Sequence, residues 1–377
     1  MKYQRSILSL ALAALFVFAG IFSSRASDAD PVWQARKSGV LARLSTVFFL
    51  DRNTGWAAGS NGTLLRTEDG GAQWKRASLP EQESKEPIND LWFFDAARGC
   101  LLGEYGRYNR RLGLDWTERI FVLNSRDGGA NWALGQLSQQ PVITRAGLSG
   151  RSLSRQNEKQ AEKSSEKASE KADETPRPPD PVLLRMAFAN DRIGWACGEA
   201  GSIQFTRDGG ATWQLQTAAT RKLLYDLAAI NERQAFIVGA GGTILATMDG
   251  GRSWSERSSG VAQALRAVHF LDAKVGWAAG SAGAILSTRN GGASWTSQAS
   301  GVTQNLNDIF FVSPTEGWAA GDRGTLLHTA DAGATWQLVE LDTHASLSRL
   351  AFIAPDCGWV VGMSGAIFKF GPPGSSN

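Results

Sequence analysis

Short apolar runs alternate with glycine-rich and polar turns along most of the chain, and one unit of this pattern recurs. In one copy, Leu265–Phe270 is an apolar run, Gly276–Gly280 is a second, 284–288 is a third, and Trp295 opens a more polar fourth segment. Alternation with period two, together with β-branched and aromatic residues, predicts a strand in each segment. The unit is therefore predicted to be a four-stranded sheet.

The second run of each unit carries a repeated motif, Gly-Trp-Ala-x-Gly or a close variant. Clear copies begin at five glycines: Gly55, Gly194, Gly276, Gly317 and Gly358. Degenerate copies begin at Gly99-Cys100 and Ala235-Phe236. The last five anchors, at positions 194, 235, 276, 317 and 358, are 41 residues apart without exception. Seven anchors of this kind indicate a repeat architecture with one supersecondary unit per repeat.

A second motif, Asp-x-Gly-x-x-Trp, follows the third run of six units. Its copies span residues 69–74, 127–132, 208–213, 249–254, 290–295 (with Asn in place of Asp) and 331–336, each with Thr or Ser two residues ahead. The motif resembles the Asp-box of sialidase-like propellers. Its carboxylate can accept hydrogen bonds from the turn backbone, its glycines supply positive φ, and its Trp can cover the loop. It therefore predicts a structural turn and indicates a fold, not a function.

The seventh unit has no Asp-box, because the chain ends shortly after its third run at 365–370. Its fourth segment is predicted at the other terminus, where Trp33-Gln-Ala-Arg-Lys matches Trp336-Gln-Leu-Val of the sixth unit. The sequence thus predicts an all-β fold, a seven-bladed β-propeller of four-stranded blades in which the N-terminal strand closes the last blade. An open solenoid, the alternative architecture, would not need this split repeat.

The first 26 residues have the organisation of a secretory signal peptide. Lys2 and Arg5 precede an apolar run at 7–22, and Ser24-Arg25-Ala26 offers small residues for cleavage. An uncleaved membrane anchor is the alternative, although such an anchor usually needs a longer apolar run. We therefore expect residues 1–26 to be a removed signal peptide, residues 27–377 to form a single propeller domain, and the chain to be exported.

Composition and residue spacing limit the classes of ligand that the chain is expected to bind. The net charge of +3 is nearly balanced and gives no case for nucleic-acid binding. Cys100, Cys197 and Cys357 lack the spacing of a disulfide framework or a metal site, and each lies beside a repeated Gly, so they are predicted to be small core residues. The three histidines share no metal-ligand spacing, and the glycine pairs lie in hairpin turns. We therefore expect no cofactor and no metal ion.

Two insertions interrupt the repeat. The anchors at 99 and 194 are 95 residues apart, which exceeds one unit of 41 by 54. One insertion, at about 104–118, lies between the second and third strands of blade two. The other, at about 134–180, lies between blades two and three; it is rich in Lys, Glu and Pro and is predicted to be disordered. Both are expected on one face of the disc, where second-to-third-strand loops and blade connections open.

The same face holds the candidate binding residues. The shorter insertion combines aromatic residues with arginines, which are enriched in interface hot spots, and the inner strands begin with charged residues near the channel mouth. A protein partner is predicted to bind there through Arg107, Tyr108, Arg110, Arg111, Trp116, Arg185, Arg266 and Arg349. The alternatives are that the loop packs on its own blade and that the charged ring only hydrates the channel.

The combination of Gly-Trp-Ala-x-Gly, then Gly-Thr-Leu-Leu or Gly-Thr-Ile-Leu, then the Asp-box is clearest at 55–74, 239–254 and 317–336. Over residues 33–370 the chain resembles the photosystem II stability/assembly factor family. The resemblance implies a non-catalytic protein of the periplasm or thylakoid lumen. It also implies a protein partner, a membrane-protein subunit such as a photosystem II reaction-centre protein, held during assembly. We expect a monomer with no stable membrane insertion after signal cleavage.

The rival class is an Asp-box glycosidase of the sialidase type, or a carbohydrate-binding propeller. A sialidase needs a Tyr nucleophile assisted by Glu, three Arg for the substrate carboxylate and an acidic Asp. Of the tyrosines beyond the signal peptide, only Tyr225 is predicted near the channel, and no Glu begins an inner strand. The sequence therefore predicts no catalytic residues and no enzyme activity.

Overall fold

The computed structural model describes residues 31–106, 119–138, 181–218 and 220–372. These residues form seven radial sheets around a central channel, in four-stranded blades of antiparallel strands, which confirms the predicted seven-bladed propeller. The predicted signal peptide and most of both predicted insertions lie outside the described residues. Within the described ranges, no helix has the length and apolar character needed to cross a membrane.

The strands of each blade are numbered in chain order, from the channel outward. Blade one contains β2 (Leu44–Phe49), β3 (Gly55–Gly59), β4 (Thr63–Thr67) and β5 (Lys75–Arg76). Blade two contains β6 (Ile88–Phe93), β7 (Gly99–Glu104), β8 (Ile120–Ser125) and β9 (Ala133–Leu134). Blade three contains β11 (Leu183–Phe188), β12 (Gly194–Gly198), β13 (Ile203–Thr206) and β14 (Thr212–Gln216), and β10 (Gln136–Ser138) lies outside it.

The remaining four blades follow the same plan. Blade four contains β15 (Leu224–Ala229), β16 (Ala235–Gly239), β17 (Ile244–Thr247) and β18 (Ser255–Arg257). Blade five contains β19 (Leu265–Phe270), β20 (Gly276–Gly280), β21 (Ile285–Thr288) and β22 (Thr296–Gln298). Blade six contains β23 (Leu306–Phe311), β24 (Gly317–Gly321), β25 (Leu326–Thr329) and β26 (Gln337–Leu338). Blade seven contains β27 (Leu347–Ala354), β28 (Cys357–Gly362), β29 (Ile367–Gly371) and, outermost, β1 (Val32–Arg36).

Adjacent blades are joined by aromatic residues from the first repeated motif. The Trp56 ring in blade one stacks on Phe93 in blade two at 3.6 Å between centroids, and its indole N–H donates to the carbonyl of Gly128 in the blade-two Asp-box. Gly55 precedes this Trp because a Cβ there would lie 2.5 Å from the Phe49 ring. The glycine thus makes room for the inner-strand Phe of its own blade, and the Trp packs against the next blade.

The Asp-box acts as the predicted turn in all six copies. In blade one, the Thr67 hydroxyl accepts the Gly71 N–H at 2.9 Å, and the Asp69 carboxylate accepts the Gln73 N–H at 2.9 Å. The same pair of bonds is present in the other five boxes. In blade six, such bonds lower the pKa of Asp331 to about 2, so the turn keeps its charge at physiological pH.

Blade two lacks the motif Trp and compensates locally. Cys100 occupies the position of the motif Trp. The side-chain amide of Asn124 donates to the carbonyl of Gly210, the second glycine of the blade-three Asp-box, at 3.0 Å. In blade one the Trp56 indole donates instead to the first glycine of the next box, Gly128. Trp213, which is 1% exposed, fills the volume beside Cys100. Cys100, Cys197 and Cys357 are buried free thiols, which confirms the prediction that they are core residues.

The N-terminal strand closes the last blade, as predicted. β1 pairs antiparallel with β29 from Val32↔Gly371 to Arg36↔Ile367. Trp33 packs edge-on against Trp318 at 5.3 Å and against Phe352 at 5.9 Å between centroids. It thereby fills the place of the Asp-box Trp that blade seven lacks.

The longer insertion begins with ordered strand. β9 pairs with β8 in blade two, and after Gly135 the chain crosses to pair β10 in parallel with β14 of blade three. Residues 134–138, predicted to begin a disordered insertion, are therefore tied to the outer edges of two blades. Residues 139–180 lie outside the described residues.

The centre of the ring is held by carboxylates on alternate blades. Asp90, Asp226 and Asp308 each accept a backbone N–H from the inner strand of the next blade, at 3.0, 3.0 and 2.7 Å. The Arg349 guanidinium reaches across the channel to Asp226 at 3.3 Å and to Asp308 at 3.4 Å. Because both carboxylates are buried, the shared guanidinium supplies their counter-charge.

The closing strand yields a first prediction. Trp33→Ala should lower the free energy of unfolding by about 3 kcal/mol, because it removes a large aromatic side chain from a packed joint. Deleting residues 31–37 should destabilise the whole domain further, since β29 then becomes an exposed edge. Chemical denaturation measures both effects. The control is Val32→Thr on the same strand, at a position that is 43% exposed; a Trp33→Ala protein as stable as this control would contradict the prediction.

The inner ring yields a second prediction. Arg349→Met should lower the free energy of unfolding by about 3–5 kcal/mol, because it leaves buried Asp308 without its cation and Asp226 with only Arg185, 3.9 Å away. Burial already raises the pKa of Asp308 to about 6 against the opposing effect of Arg349, so the folded state holds this proton more tightly than the unfolded chain. Between pH 4 and 6 this group therefore raises the free energy of unfolding as the pH falls. In Arg349→Met, which loses the opposing charge, the pH range of this effect should extend to higher pH.

Urea denaturation at pH 5 and pH 8 measures this effect. The deficit of Arg349→Met should be smaller at pH 5, and adding Asp308→Asn should recover part of it at pH 8. Equal deficits at the two pH values would rule out unpaired carboxylates as the cause.

Candidate functional site

The channel opens on two faces of the disc. The connection face carries the second-to-third-strand turns and the blade connections, and the box face carries the Asp-box turns. On the connection face lies a cavity of about 390 Å³, the connection-face mouth. It is lined by Arg43, Ser45, Ser60, Pro87, Ile88, Asn89, Glu104, Leu184, Arg185, Tyr225, Arg266, Asn307 and Ser348.

A β-bulge in every inner strand sets which side chains enter the mouth. In each blade the pairing of the inner strand with the second strand shifts in register after the first residue, as between Leu44 and Thr46. A bulge turns successive side chains away from simple alternation. The second residue of most inner strands therefore lines the mouth, as Asn89 and Asn307 do, whereas the third is generally buried, as Asp90 and Asp308 are.

Arg185 and Arg266, both predicted site residues, line the mouth. Arg185 donates to the Asn89 carbonyl at 2.8 Å and lies 3.9 Å from the Asp226 carboxylate. Arg266 donates to the Asn307 side-chain oxygen at 3.3 Å, and its guanidinium lies 5.7 Å from the centre of the Tyr225 ring. These contacts fix the orientation of both guanidinium groups.

Arg43 is a third mouth arginine, which the sequence analysis missed. Arg43 is exposed as a residue, but its guanidinium is partly buried in the mouth. This partial burial, together with the charges of Arg185 and Arg266, lowers its pKa. Among the charged residues of the described ranges that line the mouth, three arginines accompany one carboxylate, that of Glu104. The signal in the sequence is a departure from the repeat: the other blades place Pro87, Val182, Leu223, Ala264, Asn305 and Ser346 directly before the inner strand.

Arg349 lies deeper than predicted for a mouth residue. Its guanidinium is engaged with Asp226 and Asp308, and it lines the part of the channel that opens toward the box face. Its partners are three blades and one blade away, separated by 123 and 41 residues in sequence.

Arg107, Tyr108, Arg110, Arg111 and Trp116 lie outside the described residues. The base of their loop is described, however, and it lies on the connection face. The Tyr105 hydroxyl donates to Glu83 at 2.7 Å, and Arg119 pairs with Glu199 of blade three at 3.1 Å. The neighbouring Glu104 carboxyl lines the mouth, and burial raises its pKa. The loop therefore starts and ends beside the mouth.

Solved structures of other propellers share this architecture. "YCF48 bound to D1 peptide" is 20% identical with a TM-score of 0.65, covering 92% of this chain and 99% of that chain. YCF48 from Cyanidioschyzon merolae is 18% identical with a TM-score of 0.66 over 90% and 99%. A GH74 xyloglucanase from Xanthomonas campestris is 14% identical with a TM-score of 0.61, over 89% of this chain and 53% of the enzyme. At these identities the likeness concerns the fold.

Two curated relatives are similar over shorter stretches. Photosystem II assembly protein Ycf48 from Thermosynechococcus vestitus is 35% identical over 68 residues, which is 18% of this chain and 19% of the relative. Photosystem II assembly lipoprotein Ycf48 from Synechococcus sp. (strain CC9902) is 29% identical over 143 residues, 36% of this chain and 38% of the relative. These matches cover less than half the length of either relative.

The family comparison covers most of the chain. The model described as "Photosynthesis system II assembly factor YCF48" matches residues 24–140, 163–256, 215–301 and 259–368. The matched stretches include the closing strand β1 and all seven blades except the last three residues of β29. The chain belongs to the photosynthesis system II assembly factor YCF48 family.

Proposed function

We propose that this protein is an exported, non-catalytic scaffold that binds a protein subunit of photosystem II at its connection face while the complex is assembled. The observation that carries the proposal is the connection-face mouth, where Arg43, Arg185 and Arg266 converge beside the base of the arginine-rich insertion. Family membership and the related structure of YCF48 bound to a D1 peptide support a photosystem II subunit as the partner.

The chemistry of the mouth favours a carboxylate-bearing or carbonyl-rich peptide segment. Guanidinium groups offer planar, bidentate donors to such acceptors. Because Arg185 and Arg266 are already oriented by Asn89, Asn307 and Tyr225, less side-chain entropy is lost on binding. Arg107, Tyr108, Arg110, Arg111 and Trp116 would extend the contact area from the rim. Arg349 would act indirectly, by fixing the carboxylates beneath the mouth.

The compartment forms part of the proposal. The basic residues, apolar run and cleavage site within 1–26 support export to the periplasm, or to the thylakoid lumen in a photosynthetic source. We infer that the exported chain is a single propeller domain that acts as a monomer. The propeller would then contact a membrane-embedded partner through the segments that the partner exposes to the aqueous compartment.

A glycosidase is the alternative, because GH74 enzymes share the fold. Glycosidases of the usual two-carboxylate type place both groups in the substrate cleft. Among the described residues, one carboxylate, Glu104, lines the connection-face mouth. At the other end of the channel, Asp90 and Asp308 accept backbone N–H groups from the neighbouring blade, which favours a structural role.

The partner site is tested by charge reversal. Arg43→Glu should weaken binding of a D1 peptide by at least about tenfold, because an exposed cation of the mouth becomes an anion. Arg110→Glu combined with Arg111→Glu should have a similar effect, because it reverses two charges of the arginine-rich insertion. Isothermal titration calorimetry measures affinity, and both proteins should melt within a degree or two of the parent.

The matched control is Lys274→Glu, an exposed residue in a first-to-second-strand turn of the box face. It carries the same change of charge at the other end of the channel and should leave peptide affinity unchanged. Loss of binding in Lys274→Glu with retention in the arginine variants would move the site to the box face and sink the proposal.

The glycosidase alternative has its own test. The purified protein should release no reducing sugar from xyloglucan or from sialyl-lactose in an overnight incubation. Activity that disappears in Glu104→Gln would instead identify the connection-face mouth as a catalytic cleft.

A further inference from the structure

The second opening of the channel has a different chemistry from the first. On the box face lies a cavity of about 390 Å³, the box-face cavity, to which all seven inner strands contribute. This volume lies near the lower end of the range for ligand pockets, roughly 300–1,000 Å³. The layer of Asp226, Asp308 and Arg349 side chains lies between this cavity and the connection-face mouth.

The walls of the box-face cavity are aromatic on two sides. Phe48 and Trp92 lie on blades one and two with ring centroids 5.3 Å apart, and His269 and Phe310 lie on blades five and six at 4.3 Å. The equivalent positions of blades three, four and seven hold Ala187, Ala228 and Ala351. Small residues between two aromatic walls leave a slot for a flat or slender apolar group.

The charges lining the box-face cavity are mainly negative. In the part of the chain that the structure describes, three lining carboxylates, those of Asp90, Asp272 and Asp308, accompany one guanidinium, that of Arg349. The Arg349 charge is already shared between Asp226 and Asp308. His269 adds no positive charge near neutral pH, because burial lowers its pKa to about 4. An anion entering the cavity would therefore be repelled, whereas a cation would be attracted.

We propose that the box-face cavity binds an alkylammonium group, either as a free amine or as the side chain of a lysine on a partner. The aromatic side chains contact the alkyl chain and the ammonium group, and the carboxylates supply the counter-charge. Aromatic faces attract ammonium groups, most strongly where water is excluded. The proposal is independent of the connection-face function, since the two openings are separated by the Asp–Arg layer.

A charge-matched ligand series tests the proposal on the full chain. Isothermal titration at pH 8 compares hexylammonium with hexanol and hexanoate, which share the chain and differ in charge. Hexylammonium should bind at least about tenfold more tightly than hexanol, and hexanoate should show no binding. Nα-acetyl-lysine methylamide distinguishes the two sources, because it binds only if a lysine side chain can enter with its backbone attached.

Substitutions of Ala228 locate the binding. Ala228→Phe should fill the slot and abolish hexylammonium binding without changing any charge. Ala228→Lys should place an ammonium inside the cavity and give a higher melting temperature than Ala228→Glu, with the same backbone position and similar length. Arg43→Glu, at the opposite opening, should leave hexylammonium affinity unchanged.

Three results would overturn the inference. These are equal affinity for hexylammonium and hexanol, retention of binding in a folded Ala228→Phe protein, and equal melting temperatures for Ala228→Lys and Ala228→Glu. Tighter hexylammonium binding in Arg43→Glu would place the ligand in the connection-face mouth instead, because the variant replaces a cation there with an anion.

Discussion

The ring depends on a joint in which one blade lends an aromatic side chain to the next. In the best-formed joints an indole stacks on the inner-strand Phe of the following blade and donates its N–H to a carbonyl of that blade's Asp-box, as Trp359 does with Phe49 and Gly70 across the chain termini. The carbonyl is placed to accept this hydrogen bond only when the Asp-box turn is formed. Turn, stack and sheet stabilise one another, and a blade alone would leave its indole exposed.

This mutual dependence explains why the sequence predicts the blades well. The glycine, the Trp and the box lie at fixed positions in each unit, and each has a steric or hydrogen-bonding reason that can be argued locally. The closing strand was predictable for the same reason, because Trp33 repeats the pattern of an outer strand. The departure at Cys100 was visible, but its compensation by Asn124 and Trp213 was not, since those partners belong to a different unit or strand.

The candidate site was harder to predict, because it depends on contacts across the ring. Arg185 and Arg349 both occupy the third position of their inner strands, yet Arg185 lines the mouth and Arg349 lines the channel beneath it, so position in the repeat does not separate them. The partners of Arg349 lie on blades four and six, a pairing that only the closed ring creates. Arg43 was missed because it precedes its strand. The structure of a blade can thus be predicted from its own repeat, whereas the side-chain contacts in the channel depend on the closed ring.

The number of blades also has a consequence for the channel. The third residue of the inner strand is Asp in blades two, four and six, and Thr46, Arg185, Ala267 or Arg349 in the others. In a ring with an odd number of blades, Asp and other residues cannot alternate all the way round, so two blades without Asp must be adjacent. Here these are blade seven, with Arg349, and blade one, with Thr46. Because the third residues also differ from blade to blade, the seven sectors of the channel wall are not equivalent. A molecule in either opening therefore faces side chains that differ from one sector of the ring to the next, so its rotational orientations about the channel axis are not equivalent.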